Sequence, residues 1–329
     1  YVARDKDGNT RTPGTFQARS SNGDARTPAA YQRHDKDGNA VQDLMFLEYT
    51  TASVSSFQIK TFTTPNYDVD WGDGSTDTGV TSTTKDHTYS TAGVYTIKIT
   101  PASGSTFQPE HYSSTNFATN LTKVQGKGGS ELGTSLQRAY RETTSLTSVG
   151  ALDTSSLTHM VATFNGCTGL TSFPVIDTSN VVHFTNCWTT CTGLTSFPSI
   201  DTSSATDLNG TWNFCTSLTS FPTINTGNCT NFTSTWRDNR ALTSFPSLDF
   251  SSGTVFVAAW RDCTTLTTYP ANQFDNTGTL ASNAFSNTWL NCALTAQSIE
   301  NILTSLDTNG SENITLTLSG GTNAGKSTW

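Results

Sequence analysis

The chain has 329 residues, a net charge of −8 and only 13% charged side chains, about half the usual share. That length suits two or three domains, and the acidic balance argues against a nucleic-acid partner, which needs a basic stripe to release counterions. No apolar run reaches the ~18–20 residues of a membrane-spanning helix.

Seven Cys with no close Cys-x-x-Cys pair make a poor disulfide or zinc framework. They leave the redox compartment open, while the Ser- and Thr-rich composition points to a secreted or viral protein. The chain opens at Tyr1 rather than Met, so a processed or trimmed chain is expected.

Residues 1–43 carry a short tandem repeat. Tyr1, Phe16 and Tyr31 are 15 apart, and Asp7-Gly8-Asn9, Asn22-Gly23-Asp24 and Asp37-Gly38-Asn39 keep the same step. Asp-Gly and Asn-Gly between short alternating runs predict hairpins. One such unit buries too little to stand alone, so it must stack on its neighbours, on other copies or on a larger particle. These units resemble repeats near the ends of phage fibre and decoration proteins, which implies anchoring to other virion proteins or to copies of itself.

Residues 44–102 read as a second module. Phe57–Phe62 and Tyr67–Trp71 alternate like strands. Trp71-Gly72-Asp73-Gly74-Ser75, Asp86-His87-Thr88-Tyr89 and Gly93-Val94-Tyr95-Thr96-Ile97-Lys98-Ile99 follow. Val94, Tyr95, Ile97 and Ile99 are expected to supply an apolar face. The segment resembles the PKD-type immunoglobulin-like domain, which implies a small β-sandwich. Residues 103–145 are read as a connecting segment and a first, capping coil.

Residues 146–293 are dominated by a period of 24. Leu146, Leu170, Leu194, Leu218, Leu242 and Leu266 keep that step, most of them opening a Leu-Thr-Ser-Phe-Pro phrase. A second row is Tyr140, Phe164, Trp188, Trp212, Trp236 and Trp260, with Trp289 after an insertion. A third is Cys167, Cys191, Cys215, Asn239, Cys263 and Cys292, and a fourth is Asp153, Asp177, Asp201, Asn225 and Asp249. A repeat in the twenties that buries one apolar face predicts stacked coils, each contributing a strand about 4.8 Å from the next. Leu170, Phe173, Ile176, Val181, Phe184, Trp188 and Cys191 are expected inside. The repeat resembles the BspA-like leucine-rich repeats of bacterial surface proteins and phage structural proteins, for which a PKD-type module is a familiar companion.

Residues 294–329 depart from the period. Thr295 reads as a helix N-cap, Ile299, Ile302, Leu303 and Leu306 as a helical apolar face, and Ile314–Leu318 as a strand. Together they predict a small α+β cap, cut short at Trp329.

Several groups invite chemistry. Gly320-Gly321-Thr322-Asn323-Ala324-Gly325-Lys326-Ser327 fits the Walker A pattern but lacks the helix that would bind phosphate, so it is read as accidental. Asp5–Asn9 and Asp35–Asn39 place Gly too early for an EF-hand and read as turns. Asp70, Asp73, Asp77 and Asp86 could hold Ca²⁺ but read better as turn caps, as does the Asp row. The Cys row reads as free buried thiols and the Trp row as core. His159 and His183 read as stacked surface imidazoles, with a metal pair as the rival. None of the five His has a Ser, Cys or carboxylate partner at a recognisable spacing. No catalytic, cofactor or metal residue is assigned.

The expectation is thus a mainly β, non-enzymatic, virion-surface structural and adhesive protein, such as a fibre, spike or head decoration. A bacterial cell-surface or secreted adhesin is the alternative. A glycan depolymerase, or an ice-binding protein using the rows through Thr171, Thr195, Thr219 and Thr243, are further alternatives. The partner would be a host-surface glycan or protein. Two stretches where the coils differ are the candidate recognition surface: Arg237, Asp238, Arg240, Arg261 and Asp262, and His159, His183 and Asp207.

Overall fold

The computed structural model describes residues 33–34, 40–41, 46–62, 65–102, 105–110, 119–127, 132–278, 280–311 and 314–323. The chain is mainly β with very little helix, and it divides into two compact units, Tyr1–Asp43 and Leu44–Trp329. In the first unit, β1 (Arg33–His34) and β2 (Ala40–Val41) pair antiparallel, Arg33 opposite Val41. The first two expected hairpins lie outside the described residues.

The second unit begins with β3 (Phe46–Thr51), β4 (Val54–Lys60), β5 (Tyr67–Asp70), β6 (Thr76–Val80), β7 (Thr84–Gly93) and β8 (Thr96–Pro101). Alternation drives them: β5 and β8 bury every second residue, placing Tyr67, Val69, Ile97 and Ile99 inside. Val94, expected on that face, is exposed instead, because it lies in the turn before β8. Gly72 turns the chain after β5 at φ +81°, and a Cβ there would meet the Thr96 carbonyl oxygen at 2.5 Å. With β9 (Leu121–Lys127) and β10 (Ser148–Val149), one sheet runs β10-β9-β3-β8-β5-β6, while β4 and β7 form a second. Tyr49 of β3 meets Phe57 of β4 at 6.5 Å between ring centroids, so the two sheets share a core.

β10 belongs to the first coil and pairs parallel with β9. The sheet therefore passes directly into the coils, and one apolar core extends from Tyr49 to Leu306. In each coil, alternate backbone amides donate to the next coil. Met160, Ala162, Phe164 and Gly166 donate to the carbonyls of His183, Thr185, Cys187 and Thr189 at 2.8–3.0 Å. Phe184, Asn186, Trp188 and Thr190 repeat the pattern onto Asp207, Asn209, Thr211 and Asn213, and the coils at 208–214, 232–238 and 256–262 continue it. The intervening amides close turns within their own coil, as Cys187 does onto Phe184. This zigzag needs left-handed backbone at two positions per coil. Ala162, Asn186, Ser234 and Ala258 hold one at φ 53–56°, and Thr190, Phe214, Asp238 and Asp262 hold the other at φ 59–62°. Left-handed backbone costs about 1–2 kcal/mol per ordinary residue, so the inter-coil bonds must hold it in place.

The expected strand per coil is thereby corrected. Beyond β10, the described coil residues form only single-residue parallel bridges, along Ser135, His159, His183, Asp207, Asn231 and Val255, and between Ser244 and Thr268. The turn-rich backbone satisfies its amides along the stack without extended strands.

Inside, Leu170, Leu194, Leu218 and Leu242 are fully buried, as are Trp188, Trp212, Trp236 and Trp260. The indoles stack at 5.2–6.2 Å between centroids. Phe197 inserts edge-on between Trp188 and Trp212, at 4.8 and 5.3 Å. None of these four indole N–H groups, nor that of Trp289, has a hydrogen-bond partner. Carbonyls left over by the zigzag are taken by buried side chains. Thr235 Oγ1 donates to Leu208 O, and Cys167, Cys191, Cys215, Cys263 and Cys292 donate their thiols to carbonyls of the aromatic row one coil back.

Helix α1 (Ala296–Thr308) closes the stack, with Thr295 Oγ1 accepting from Ser298 N. Its polar row does what another coil would do. Ser298 Oγ accepts from Tyr269 N, Ser305 Oγ accepts from Phe274 N, and Asn301 Nδ2 donates to Tyr269 O. The strand expected over 314–318 does not form. That segment crosses the last coil irregularly, with Thr315 N on Ser282 O and Asn291 N on Ser319 O.

The orphaned indoles generate a contrast in stability. Trp212→Ala is expected to cost about 3–5 kcal/mol through lost packing. Trp212→Phe should cost about 1 kcal/mol or less, because it also removes a buried N–H whose desolvation is worth about 1–3 kcal/mol. Chemical denaturation of the two variants checks this; equal losses would mean that the indole N–H is satisfied.

Candidate functional site

Four groups of side chains stand out, and the sequence foresaw two of them. At one corner of the stack, Asp238 is 2% exposed. Its Oδ1 accepts from Arg240 Nη2 at 2.7 Å and Nε at 3.1 Å, and Arg237 Nε lies 3.3 Å from Oδ2. One coil on, Asp262 accepts from Arg261 Nε at 3.1 Å and from Asn291 Nδ2 at 2.7 Å, with Arg237 at 3.8 Å. The five predicted residues are therefore one network, three cations to two carboxylates, in which the left-handed backbone at Asp238 and Asp262 aims both acids at their arginines. Arg237 also sits 5.7 Å over the Phe214 ring. Most of this charge is spent on itself.

The second predicted group is a column. His159, His183 and Asp207 occupy adjacent bridges, with the two imidazoles 5.1 Å apart between centroids. Thr158 Oγ1 lies 2.8 Å from His159 Nδ1, and Thr185 Oγ1 donates to Asp207 Oδ2 at 2.9 Å. No group of three or more His, Cys, Asp or Glu that could hold a metal ion occurs among the described residues.

The third group was missed. His87 Nε2 lies 2.9 Å from Asp73 Oδ2 and 3.4 Å from Ser75 Oγ, while its ring stacks on Trp71 at 4.6 Å. The carboxylate partner that the sequence did not show is 14 residues away, in the β5–β6 turn of the other sheet. Ser75 Oγ donates to Asp73, and both groups address the same imidazole nitrogen. A nucleophilic relay needs them on opposite nitrogens. The group is thus a turn lock. Its neighbours behave alike: Asp70 accepts from Gly72 N, and Asp77 accepts from the Trp71 indole and pairs with Lys85. The Asp row has the same use, as Asp153, Asp177, Asp201 and Asp249 each accept from the amide two residues on.

The fourth group, also missed, is a small hollow, open to solvent and lined by Phe62, Gln108, Pro109, Ser135 and Gln137. Phe62 is 69% exposed, the one exposed large aromatic among the described residues. Parity could have flagged it: Phe57 and Ile59 face inward along β4, so position 62 faces outward. Gln108 and Gln137 come from segments with no shared period, which left no signal.

The remaining motifs are structural. The seven thiols are buried and unbridged, and burial pushes Cys215, Cys229 and Cys292 up to about 12. Asn239, standing in for Cys, keeps both side-chain polar atoms buried without a partner. Gly320 and Gly321 pack against Asn291 and Cys292, and residues 324–327 of the Walker-like run lie outside the described residues. No protein-family model, curated protein or solved structure matches this chain.

Two predictions follow the geometry. Asp238→Ala should cost about 2–3 kcal/mol, since it strands Arg237 and leaves Ala in left-handed backbone. Arg240→Ala should leave the melting temperature near that of the parent; the reverse order would mean that the outer arginine anchors the network. At the hairpin, the Ser75 hydroxyl and then His87 hold the Asp73 carboxyl down to about 2. A depressed carboxyl stabilises above its unfolded pKa of ~3.9 and loses that contribution as pH falls through the folded value. The Asp73 carboxyl-carbon resonance should therefore titrate near 2, moving up in Ser75→Ala. A midpoint at the free-Asp value in the parent would mean that the lock is not formed.

Proposed function

We propose that this chain is a non-enzymatic structural and attachment protein of a virion surface, built as a leucine-rich-repeat solenoid behind an immunoglobulin-like module of PKD type. Residues 1–43 anchor it to other virion proteins or to copies of itself, and the coils display a recognition surface to a host glycan or protein. The observation that carries this reading is the coil stack with period 24, whose Leu, Phe and Trp rows are buried and whose alternate amides bind coil to coil. Such an array is stiff, because each coil is held by both neighbours, and its length grows by adding coils rather than by enlarging a core. Its outer rows, Thr171 with Ser172, Thr195 with Ser196, Thr219 with Ser220 and Thr243 with Ser244, are exposed neutral hydroxyls. A stiff, weakly charged display surface suits attachment better than turnover. The Arg–Asp network and the His–His–Asp column interrupt the neutral surface and give it local identity.

Immunogold electron microscopy with antibodies raised to the chain tests this. Labelling of the outside of intact particles is expected. Labelling confined to bacterial cell envelopes would move the protein to the adhesin alternative, and labelling confined to the cytosol would end both readings.

A further inference from the structure

The hollow beside Phe62 rests on a short ladder between residues 60–62 and 108–110. Thr61 bridges Pro109 antiparallel, Phe62 N donates to Gln108 O at 2.9 Å, and Glu110 N donates to Lys60 O at 3.0 Å. A Lys60–Glu110 ion pair at 2.7 Å closes the far side of this short ladder. The backbone that presents Phe62 and Gln108 is therefore pinned, even though the Phe62 ring faces water. An exposed aromatic ring on fixed backbone has an apolar face to offer, and none of the described residues covers it.

Around that ring stand neutral, two-sided hydrogen-bonding groups. Gln108 and Gln137 each carry an amide that donates and accepts, and among the described residues neither amide is hydrogen-bonded to another side chain. Gly133 lets the Gln108 amide lie close, since a Cβ there would meet Nε2 at 2.8 Å. Ser135 lines the same hollow and is bridged to His159, which leads to His183, Asp207 and Asn231. One polar side chain thus follows another from coil to coil along the face that starts at the hollow, with the His159 and His183 rings 5.1 Å apart.

We infer that the Phe62 hollow and the polar column above it form a binding site for a neutral glycan. One pyranose lays its C–H face on Phe62 and shares its hydroxyls with Gln108 and Gln137, and the following sugars run past His159 and His183. The chemistry selects this ligand class. A pyranose has an apolar face and a rim of hydroxyls that both donate and accept, which is the complement of a phenyl ring framed by amides. The lining holds no cation for an acidic glycan or a phosphate, and a lipid chain would leave the Gln108 and Gln137 amides facing it without partners. This deepens the attachment reading and depends on it only for the setting in which the glycan is met.

The test uses the full chain and neutral trisaccharides of gluco, galacto and manno configuration, with the matching monosaccharides, titrated by saturation-transfer NMR. At least one trisaccharide is expected to bind. Phe62→Ala and Gln137→Ala should each weaken it at least tenfold with an unchanged melting temperature, since both side chains are exposed. His183→Ala should remove the advantage of the trisaccharide over its monosaccharide, and Arg240→Ala should change nothing. Binding that survives Phe62→Ala, or no binding by any probe, would overturn the inference. Particles that still attach to their host while the chain binds no probe would overturn this site alone. Phe62-dependent binding by a chain absent from the particle surface would instead overturn the attachment reading and leave the site standing.

Discussion

The constraint on which the second unit rests is that a backbone wound in coils of 24 residues must find partners for its amides without strands to pair. It does so by pointing alternate N–H groups along the stack, as Met160, Ala162, Phe164 and Gly166 do, and by closing tight turns with the others. Each buried amide left unmade would cost on the order of 1–3 kcal/mol, so four per coil outweigh two left-handed residues. That balance explains why Phe214, Asp238 and Thr190 tolerate backbone that usually selects glycine. It also explains why the ends need special treatment. At the C-terminal end, helix α1 offers Ser298, Asn301 and Ser305 in place of another coil's backbone.

The side-chain rows follow from the same constraint. The zigzag uses only some carbonyls, and the rest face the interior. Thr211, Thr235 and Thr288 answer one set with hydroxyls, and the Cys row answers another with thiols. A thiol is a weak donor, but it is small and otherwise apolar, which a position beside a stacked indole demands. Redox chemistry is no part of this role, because buried thiols with raised pKa values are poor nucleophiles. The indole N–H groups are the remaining debt. They are tolerated because the ring area they accompany, stacked on both faces and edged by Phe, stabilises by more than the orphaned donor costs.

Periodicity made much of this legible. The 24-residue step located the Leu, Trp, Cys and Asp rows, and Thr295 with its apolar spacing located the helix. The hydrogen-bond route was not legible, because left-handed backbone is carried by Ala162, Asn186, Ser234 and Ala258, three residue types with no common signature. Nor was the irregular path of residues 314–318, whose β-branched pattern is overridden by contacts with the last coil. For the candidate sites, charge pattern found the Arg–Asp network, and coil variation found the His–His–Asp column. The Asp73–His87 lock and the Phe62 hollow escaped because each joins segments related by folding and not by period.

What distinguishes these sites from one another is how their bonding capacity is spent. In the Arg–Asp network, Asp238 and Asp262 are directed mainly at arginines of their own coils, with the Arg237–Asp262 pair at 3.8 Å reaching from one coil to the next, so the cluster mostly closes on itself. At the hairpin, Asp73 is saturated by Ser75 and His87. The Phe62 hollow is different: its ring is bare while the backbone beneath it is fixed by the Thr61–Pro109 bridge and the Lys60–Glu110 pair. Groups already satisfied gain little from a ligand and lose their partners to it. Groups held in place but unsatisfied lose little on binding, because their ordering cost was met when the chain folded. On that criterion the proposed glycan site, at the foot of the stack where the sheet passes into the coils, is better placed to take a ligand than the charged corner is.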